Sequence, residues 1–311
     1  MSSVAVTAQT AGSGAARAAA RRRAAGKGPR GSHGYGAARR PGWVTYTVLA
    51  ATVLISLFPL YFTLVLGSST PQEIAQRAIP QWLPDASLFD RFAEIVTSDN
   101  VNFVKALTNS VIVSVTVAFA VVLFSTLAGY SFAKLRFRGR GPLLVFVIAT
   151  MAVPTQLGII PMYILMSEIG WIGKLQAVIV PALVSAFGVF WMTQYLSEAL
   201  PYELIEAARV DGASMIRTFW HVALPAARPA AAMLALFTFV QQWTNFFWPS
   251  IVLNQDNPTL PLVVRMLQAN YFVDYSLVMS GVFLVTLPLL VIFAILGRQL
   301  VAGIMQGAVK G

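Results

Sequence analysis

Long uncharged apolar stretches alternate with short charged connections from residue 43 to the end of the chain. Each stretch holds more than about 20 residues, and a helix of that length, rising about 1.5 Å per residue, crosses the hydrocarbon core of a bilayer. The stretches are too long for barrel strands, and their apolar residues do not alternate with polar ones. The pattern therefore predicts an all-α membrane protein with six transmembrane helices, at residues 43–66, 106–133, 142–166, 175–197, 229–253 and 275–296.

The first 42 residues have a different composition from the membrane domain that we predict at 43–311. They are rich in Ala, Gly and Arg, contain no acidic residue and show no apolar pattern that could form a core. We therefore expect residues 1–42 to be a disordered, basic cytoplasmic tail. The tail either attracts anionic lipid head groups or sets the orientation of the chain, and we favour the second interpretation.

Composition agrees with a membrane protein, because 57% of the residues are hydrophobic and only 11% are charged. The chain has no cysteine, which excludes disulfides, thiolate metal sites and cysteine nucleophiles. His33 and His221 are too few and too far apart for a histidine metal site. A net charge of +10 suggests nucleic acid binding in a soluble protein. In a membrane protein the position of the charges matters more, and we expect no nucleic acid partner, no metal and no catalytic residue.

The basic residues predict the orientation. With the N-terminus inside, seventeen of the 22 Lys and Arg residues lie in inner segments and five in outer segments. By the positive-inside rule, both termini and the connection at residues 198–228 are then cytoplasmic. We call residues 198–228 the central segment.

The six predicted spans contain no Asp, Glu, Lys, Arg or His. Carriers driven by protons or sodium usually keep such residues within the membrane, so an ion-coupled secondary carrier is disfavoured but stays open. The chain also lacks a Gly-x-x-x-x-Gly-Lys-Ser/Thr phosphate loop, so we expect it not to bind and hydrolyse ATP by itself.

Polar clusters accompany two of the prolines inside the spans. One follows Pro154 and the other precedes Pro249, and their amides and indole could line a pathway for a hydroxyl-rich solute. Hydrogen bonds between helices explain the same residues equally well. The candidate pathway residues are Gln156, Gln241, Gln242, Trp243 and Asn245.

The central segment is too polar to span a bilayer. Pro201 suits the first turn of a helix, which we expect to end near Val210 and to break where Gly212 permits a positive φ. Ser214 can cap a second helix, which Pro225 would end before the fifth span. On spacing alone, a simple amphipathic hairpin at the membrane surface is an equal alternative.

A pattern of Glu-Ala-Ala, Asp-Gly-Ala and Leu-Pro in the central segment resembles the signature loop of permease subunits of bacterial ABC importers. The resemblance implies a coupling helix, between transmembrane helices 4 and 5, that docks into a cleft of a separate ATPase and transmits its motion. The residues that carry it are Glu206, Ala207, Ala208, Asp211, Gly212, Leu224 and Pro225.

The resemblance also implies a role for most of these residues. Glu206 would make a charged contact with the ATPase, and Ala207 and Ala208 would permit close packing. Gly212 would form the bend, and Leu224 with Pro225 would fix the exit of the loop.

Other stretches resemble the carbohydrate group of these permeases, the smaller maltose-type subunit. They include Asn109-Ser110, Gly129-Tyr130, the basic run at 136–140 and the C-terminal residues 303–311. Trp243 and Trp248-Pro249 resemble its fifth span, although Thr244 and Asn245 stand where the family usually has Asn and an acidic residue. The resemblance implies that the solute is a sugar, a di- or oligosaccharide. Which sugar it is stays open, because Thr244 and Asn245 depart from the family pattern.

The same resemblance implies the partners: a second homologous permease, a dimer of the ATPase and an extracytoplasmic solute-binding protein. The outer loop at Asn254, Gln255 and Asp256 would reach the binding protein, and the tail with Gln306 and Lys310 would insert between the ATPase subunits. ATP and magnesium would bind to the ATPase, with no cofactor on this chain. The expected location is the bacterial inner membrane. An importer for another solute, such as a polyamine or phosphate, stays an alternative.

Overall fold

A computed structural model of the protein describes residues 42–76, 81–98, 100–269 and 273–308, and gives the backbone alone for residue 296 and residues 298–308. The expected basic tail lies, apart from residue 42, outside the described residues. By its internal contacts the chain divides into two units, Met1–Leu57 and Phe58–Gly311. The described residues of the first unit form the amino-terminal part of an apolar helix, and the second unit contains all the remaining elements.

Helices account for all the regular structure of the described residues. In chain order they are α1 (Trp43–Ser68), α2 (Pro71–Gln76), α3 (Ser87–Thr97), α4 (Phe103–Lys134), α5 (Arg140–Thr150), α6 (Ile159–Glu168), α7 (Gln176–Ala182), α8 (Ala186–Ala199), α9 (Tyr202–Val210), α10 (Met215–Thr218), α11 (Leu224–Trp243), α12 (Phe247–Val252), α13 (Leu260–Gln268) and α14 (Tyr275–Ala308).

Six spans are present if one bent pair of helices is taken as a single crossing. Among the described residues, five helices are long and apolar enough to cross a membrane, and the pair α5 and α6 joins them with a bend of 86°. The prediction of an all-α protein with six spans is confirmed on this basis. Three of the predicted spans, however, are not the continuous helices that their apolar character suggested.

The third predicted span, 142–166, is broken between Thr150 and Thr155. Pro154 has no amide hydrogen to donate, and it disfavours the helical conformation at Val153. The fourth predicted span, 175–197, is interrupted between α7 and α8. There the hydroxyl of Ser185 accepts a hydrogen bond from the amide of Gly188 at 3.1 Å and begins α8 with a side-chain cap.

The prediction that Pro225 ends a short helix before the fifth span is wrong. The helix that begins at Met215 continues through Pro225 to Trp243 as one candidate span. A π-helical turn at Phe219–Ala223 directly precedes α11 and widens the backbone there. Pro225 lies in the first turn of α11, directly after this π-helical turn, and the helix continues through it.

The predicted end of the fifth span at residue 253 is also wrong, because α11 ends at Trp243. A short break follows, and α12 starts at Phe247 with Pro249 in its first turn. Proline is tolerated at this place because the first amides of a helix have no intrahelical partner.

Helix α4 lies at the centre of the second unit and packs most extensively against α8 and α11. Its contact with α8 depends on a glycine, since a Cβ atom placed on Gly129 would lie 2.6 Å from Cβ of Met192 and 2.9 Å from the amide nitrogen of Thr193. A missing side chain thus lets the two helix backbones approach closely, as small residues do in membrane helix pairs.

The carboxyl end of α1 is held by hydroxyl groups from two other helices. Ser276 and Ser280 of α14 donate to the carbonyl of Gly67 at 3.2 and 2.6 Å, and Ser87 donates to the carbonyl of Ser68 at 2.5 Å. The last carbonyls of a helix have no partner within it. These serines therefore satisfy groups that would otherwise be buried without a hydrogen bond.

Candidate functional site

A cavity of about 950 Å³ lies where three spans are interrupted. Met151 and Val153 line it from the break before α6, Val184 and Ser185 from the break before α8, and Asn245 from the break after α11. Backbone that is not helical is tolerated at membrane depth only where protein buries it or where it faces a water-filled space. The three breaks therefore mark this cavity as a candidate pathway for a solute.

The polar lining of the cavity consists of hydroxyls, amides and one indole, set among aliphatic and aromatic side chains. No Asp, Glu, Lys, Arg or His of the described chain lines it. The polar lining residues are Thr150, Thr155, Gln156, Ser185, Thr238, Gln241, Gln242, Asn245 and Trp248. Such a surface exchanges hydrogen bonds with a neutral polar solute but provides no formal counter-charge for an ion.

Four of the five candidate pathway residues from the sequence line this cavity: Gln156, Gln241, Gln242 and Asn245. Trp243 does not. It is 2% exposed, stacks on Phe239 with ring centroids 5.4 Å apart, and its indole lies within 3.4 Å of the carbonyl of Val285 on α14. The correction follows from helix geometry, because adjacent residues of a helix point in different directions and Trp243 points to the opposite side of α11.

Gln242 has the most informative environment of the cavity residues. Its Oε1 atom is buried and accepts no hydrogen bond from any described residue. A buried amide oxygen without a donor is costly, by about 1 to 3 kcal/mol. Since the same side chain lines the cavity, water or a solute hydroxyl is the donor that the geometry provides for.

Five of the nine polar lining residues were not among the candidates from the sequence: Thr150, Thr155, Ser185, Thr238 and Trp248. Ser185 and Thr238 carried no motif, but Trp248 stood in the resemblance to the fifth span and was a usable signal. Its indole Nε1 donates to the carbonyl of Ala177 on α7 at 2.9 Å, which fixes the ring at the wall of the cavity. Trp248, rather than Trp243, is the indole of this site.

The central segment forms the predicted pair of short helices. Pro201 is the residue directly before α9. Gly212 adopts a φ of 76°, and the hydroxyl of Ser214 accepts a hydrogen bond from the amide of Arg217 at 3.2 Å. The break at Asp211 and Gly212 and the cap at Ser214 agree with the sequence pattern. Only the end of the second helix differs, as described above for Pro225.

The exposed side of α9 carries Glu206 and Ala207, and Ala208 is partly covered. On the other side Ile205 is 4% exposed and joins the core formed by α4, α8 and α11. Asp211 and Gly212 are exposed at the bend, whereas Leu224 packs on that core and Pro225 is half-buried. The helix is therefore seated on the bundle by one face and presents a carboxylate and a small residue on the other.

The central segment, which carries Glu206, also exposes several large apolar side chains. Val210 is 87% exposed and Ile216 is 73% exposed, and Leu204, Met215 and Trp220 are each at least half exposed. Single exposed apolar residues are ordinary, but five of them within one short segment have the composition of a surface that another protein covers.

Asn254, Gln255 and Asp256, which the sequence predicts to form an outer loop, are exposed in the connection that follows α12. Two hydrogen bonds hold this loop in place. The amide of Asn257 donates to Oδ1 of Asn254 at 3.2 Å, and Nδ2 of Asn257 donates to the carbonyl of Gly173 at 2.8 Å. The loop is therefore an anchored surface feature. At the other predicted contact, Gln306 lies in α14 with only its backbone described, and Lys310 lies outside the described residues.

Comparison with known proteins identifies the fold. Residues 123–304 match the family described as "Binding-protein-dependent transport system inner membrane component". A solved structure, described as a bacterial ABC transporter involved in the import of the acidic polysaccharide alginate, superposes with a TM-score of 0.70 at 20% identity. The superposition covers 82% of this chain and 94% of that chain. At this identity the likeness concerns the fold alone.

Two curated relatives are similar over nearly their whole length. The chain is 33% identical to the lactose transport system permease protein LacG of Rhizobium radiobacter, over 88% of this chain and 97% of the relative. It is 31% identical to the arabinooligosaccharides transport system permease protein AraQ of Halalkalibacterium halodurans, over 86% of this chain and 96% of the relative. The protein therefore belongs to the family of inner membrane components of binding-protein-dependent transport systems, which are transport components rather than enzymes.

Proposed function

We propose that this protein is a permease subunit of an ATP-driven ABC importer for a sugar, of two or more units, delivered by an extracytoplasmic solute-binding protein. With a second, homologous permease it forms the membrane pathway. The relatives named for lactose and for arabinooligosaccharides support a sugar as the solute.

The observation that carries this proposal is the polar but uncharged cavity at the three helix breaks. Its volume of about 950 Å³ is within the range of small-molecule sites, about 300 to 1,000 Å³. Hydroxyls and amides suit a neutral, hydroxyl-rich solute, whereas a phosphate or a polyamine would lose hydration without gaining a counter-charge. The chemistry of the lining favours a sugar over the charged alternatives.

The central segment is the part of the chain that would bind the ATPase. Docking of α9 into a cleft would cover exposed apolar side chains of the central segment, and Ala207 and Ala208 would let the partner surface approach closely. ATP and magnesium would be bound by the ATPase dimer, and ATP-driven closure of that dimer would move the paired central segments of the two permeases.

The same proposal fixes the orientation and the outer contacts. The central segment and both termini face the cytoplasm, by the excess of basic residues on that side. The loop at Asn254, Gln255 and Asp256 then faces the binding protein, and Gln306 and Lys310 lie in a tail near the ATPase. Residues 1–42 would be a basic cytoplasmic tail attached to the permease domain at 43–311.

Uptake of labelled sugars into proteoliposomes tests this function. The vesicles contain the chain with its second permease and ATPase, and binding protein is supplied on the outer side. We expect uptake to require ATP and binding protein, and the Glu206→Ala variant to lower the rate at least about tenfold, because it removes a charged contact at an interface. Glu198→Ala is the matched control, since Glu198 is an exposed carboxylate of the same segment outside the motif, and it should keep the wild-type rate.

Two results would contradict the proposal. Uptake that survives removal of the ATPase but stops with an ionophore would identify an ion-coupled carrier. ATP-dependent uptake of a charged solute, with no response to any sugar of the panel, would keep the importer and reject the sugar.

A further inference from the structure

Lys134, the last residue of α4, is an unusual residue in this fold. Its relative exposure is 6%, and it is the only charged residue in the buried class among the residues whose side chains are described. A buried ammonium group is unfavourable unless other groups compensate it. No carboxylate of a described residue does so: the ion pairs between described residues join Arg91 to Glu94 and to Asp274, and neither includes Lys134.

Two groups from neighbouring elements take the place of a carboxylate. The Nζ atom of Lys134 donates to the carbonyl of Ser197 at 3.0 Å and lies 4.6 Å from the centroid of the Tyr202 ring. Ser197 is in the last turn of α8, where carbonyls have no intrahelical partner and the helix dipole is negative. The ring of Tyr202 adds a cation–π attraction from the first residue of α9.

Tyr202 in turn binds back to α4. Its hydroxyl donates to the carbonyl of Ala133 at 3.2 Å, in the last turn of that helix. The side chain of Lys134, at the end of α4, therefore caps α8. The side chain of Tyr202, at the start of α9, caps α4. This reciprocal pair joins three helix ends at one point, and Glu206 lies one turn along α9 from Tyr202.

The helices joined at this point also form the wall of the cavity. Val121 of α4 and Val189 of α8 line it. Val121 is about 20 Å along α4 from Lys134 at about 1.5 Å per residue. A displacement of α9 that keeps the Lys134–Tyr202 contact must therefore move the ends of two helices that reach the cavity.

We propose that Lys134 is a positioning residue that ties α9 to α4 and α8, so that a displacement of the central segment reaches the cavity. This inference rests on the proposed function, since it assigns the connection between the ATPase contact and the solute pathway. The buried charge is the essential feature: only a cation attracts both the helix-end carbonyl and the aromatic ring.

The test measures the number of solute molecules imported per ATP hydrolysed, in proteoliposomes containing the full complex. Lys134→Met keeps the length of the side chain and removes the charge, and Lys134→Arg keeps the charge. Tyr202→Leu removes the ring. We expect Lys134→Met and Tyr202→Leu each to lower the ratio at least about fivefold, a typical coupling effect, and Lys134→Arg to stay near the wild-type ratio. The double variant Lys134→Met with Tyr202→Leu should be no worse than the worse single variant, because both remove one shared contact.

Arg138→Met is the matched control, because Arg138 is an exposed cation four residues further along the chain and should leave the ratio unchanged. The inference is overturned if Lys134→Met and Tyr202→Leu import at the wild-type ratio, or if Lys134→Arg fails as badly as Lys134→Met. It is also overturned if all three variants fail to assemble with the ATPase, which would indicate a purely structural role. Absence of ATP-dependent uptake in the wild type would instead reject the proposed function, so the two failures are distinguishable.

Discussion

At the residue scale, the polar side chains of the second unit divide into two groups. Many are satisfied within the fold: Nδ2 of Asn109 donates to the carbonyl of Pro258 at 2.8 Å, and the hydroxyl of Ser110 accepts from the amide of Leu260 at 2.8 Å. These contacts hold the corner before α13 against α4. Gln242 belongs to the other group, since its Oε1 atom has no donor and its side chain lines the cavity.

The substitution Gln242→Met should therefore slow transport without unfolding the protein. It keeps the approximate size of the side chain and removes an acceptor that no other described residue uses. A lost hydrogen bond of about 0.5 to 1.5 kcal/mol predicts a maximal uptake rate lower by roughly 3- to 10-fold. Initial uptake rates at saturating binding protein and ATP measure this.

Gln194→Met is the control for that experiment, because Gln194 is exposed on α8 and does not line the cavity. Equal rates for Gln242→Met and wild type, or an equal loss in the Gln194→Met variant, would refute a solute contact at Gln242.

At the element scale, proline has different effects according to its surroundings. Pro154 precedes a bend of 86°, and Pro249 lies in the first turn of α12 after a break. Pro225 does not interrupt its helix: it lies in the first turn of α11, directly after the π-helical turn at Phe219–Ala223, and the helix continues to Trp243. The breaks that occur face the cavity, where polar backbone can be hydrated. The fifth span is continuous from Met215 to Trp243 and breaks only after that residue.

The packing of α4 against α8 gives a prediction at the same scale. Gly129→Ala places a methyl group 2.6 Å from Cβ of Met192 and within 3 Å of the α8 backbone, so the helices must separate. Overpacking typically destabilises by about 1 to 3 kcal/mol, which predicts a melting temperature lower by several degrees. Loss of the monodisperse peak after heating the detergent-solubilised chain measures it.

Gly141→Ala is the matched control for the helix-packing experiment. A Cβ atom at Gly141, in the first turn of α5, meets nothing within 4 Å. Alanine is also the better helix former. This variant should melt at or above the wild-type temperature. A Gly129→Ala variant that is as stable as Gly141→Ala would show that the close approach is not needed.

At the scale of the whole molecule, the proposed ATPase contact and the proposed solute pathway lie at different levels of the same helices. Helix α11 continues from the central segment to the cavity. Helices α4 and α8 each have one end next to the central segment, and both also line the cavity. Coupling requires a physical connection whose two arrangements both sites can bias. These three helices provide a contiguous one.

Orientation belongs to this scale and is directly testable because the chain has no cysteine. Glu203 in α9 and Gln255 after α12 are both exposed, and the positive-inside rule predicts that they lie on opposite sides of the membrane. In intact spheroplasts, a membrane-impermeant maleimide should label the Gln255→Cys variant, and should label Glu203→Cys only after permeabilisation. The reverse pattern would show that the positive-inside assignment is inverted.

Much of the candidate site could be predicted from the sequence. The ends of its helices and the residues that pack around it could not. Gly212 and Ser214 were predictable because turn and cap chemistry depends on a few adjacent residues. Trp243 was misassigned because its direction depends on the rotation of α11 against its neighbours. Lys134 gave no signal beyond one more basic charge, since its burial depends on α8 and α9 folding over it.

The sequence by itself determined the membrane class, the six apolar spans and the bent helix pair of the central segment. Apolar length, charge distribution and turn residues act locally, so no tertiary contact is needed to interpret them. Only the tertiary structure decided that three helix breaks meet at one uncharged cavity, that Pro225 lies within a continuous helix, and that Lys134 joins three helix ends. Each of these depends on how segments far apart in the chain pack together.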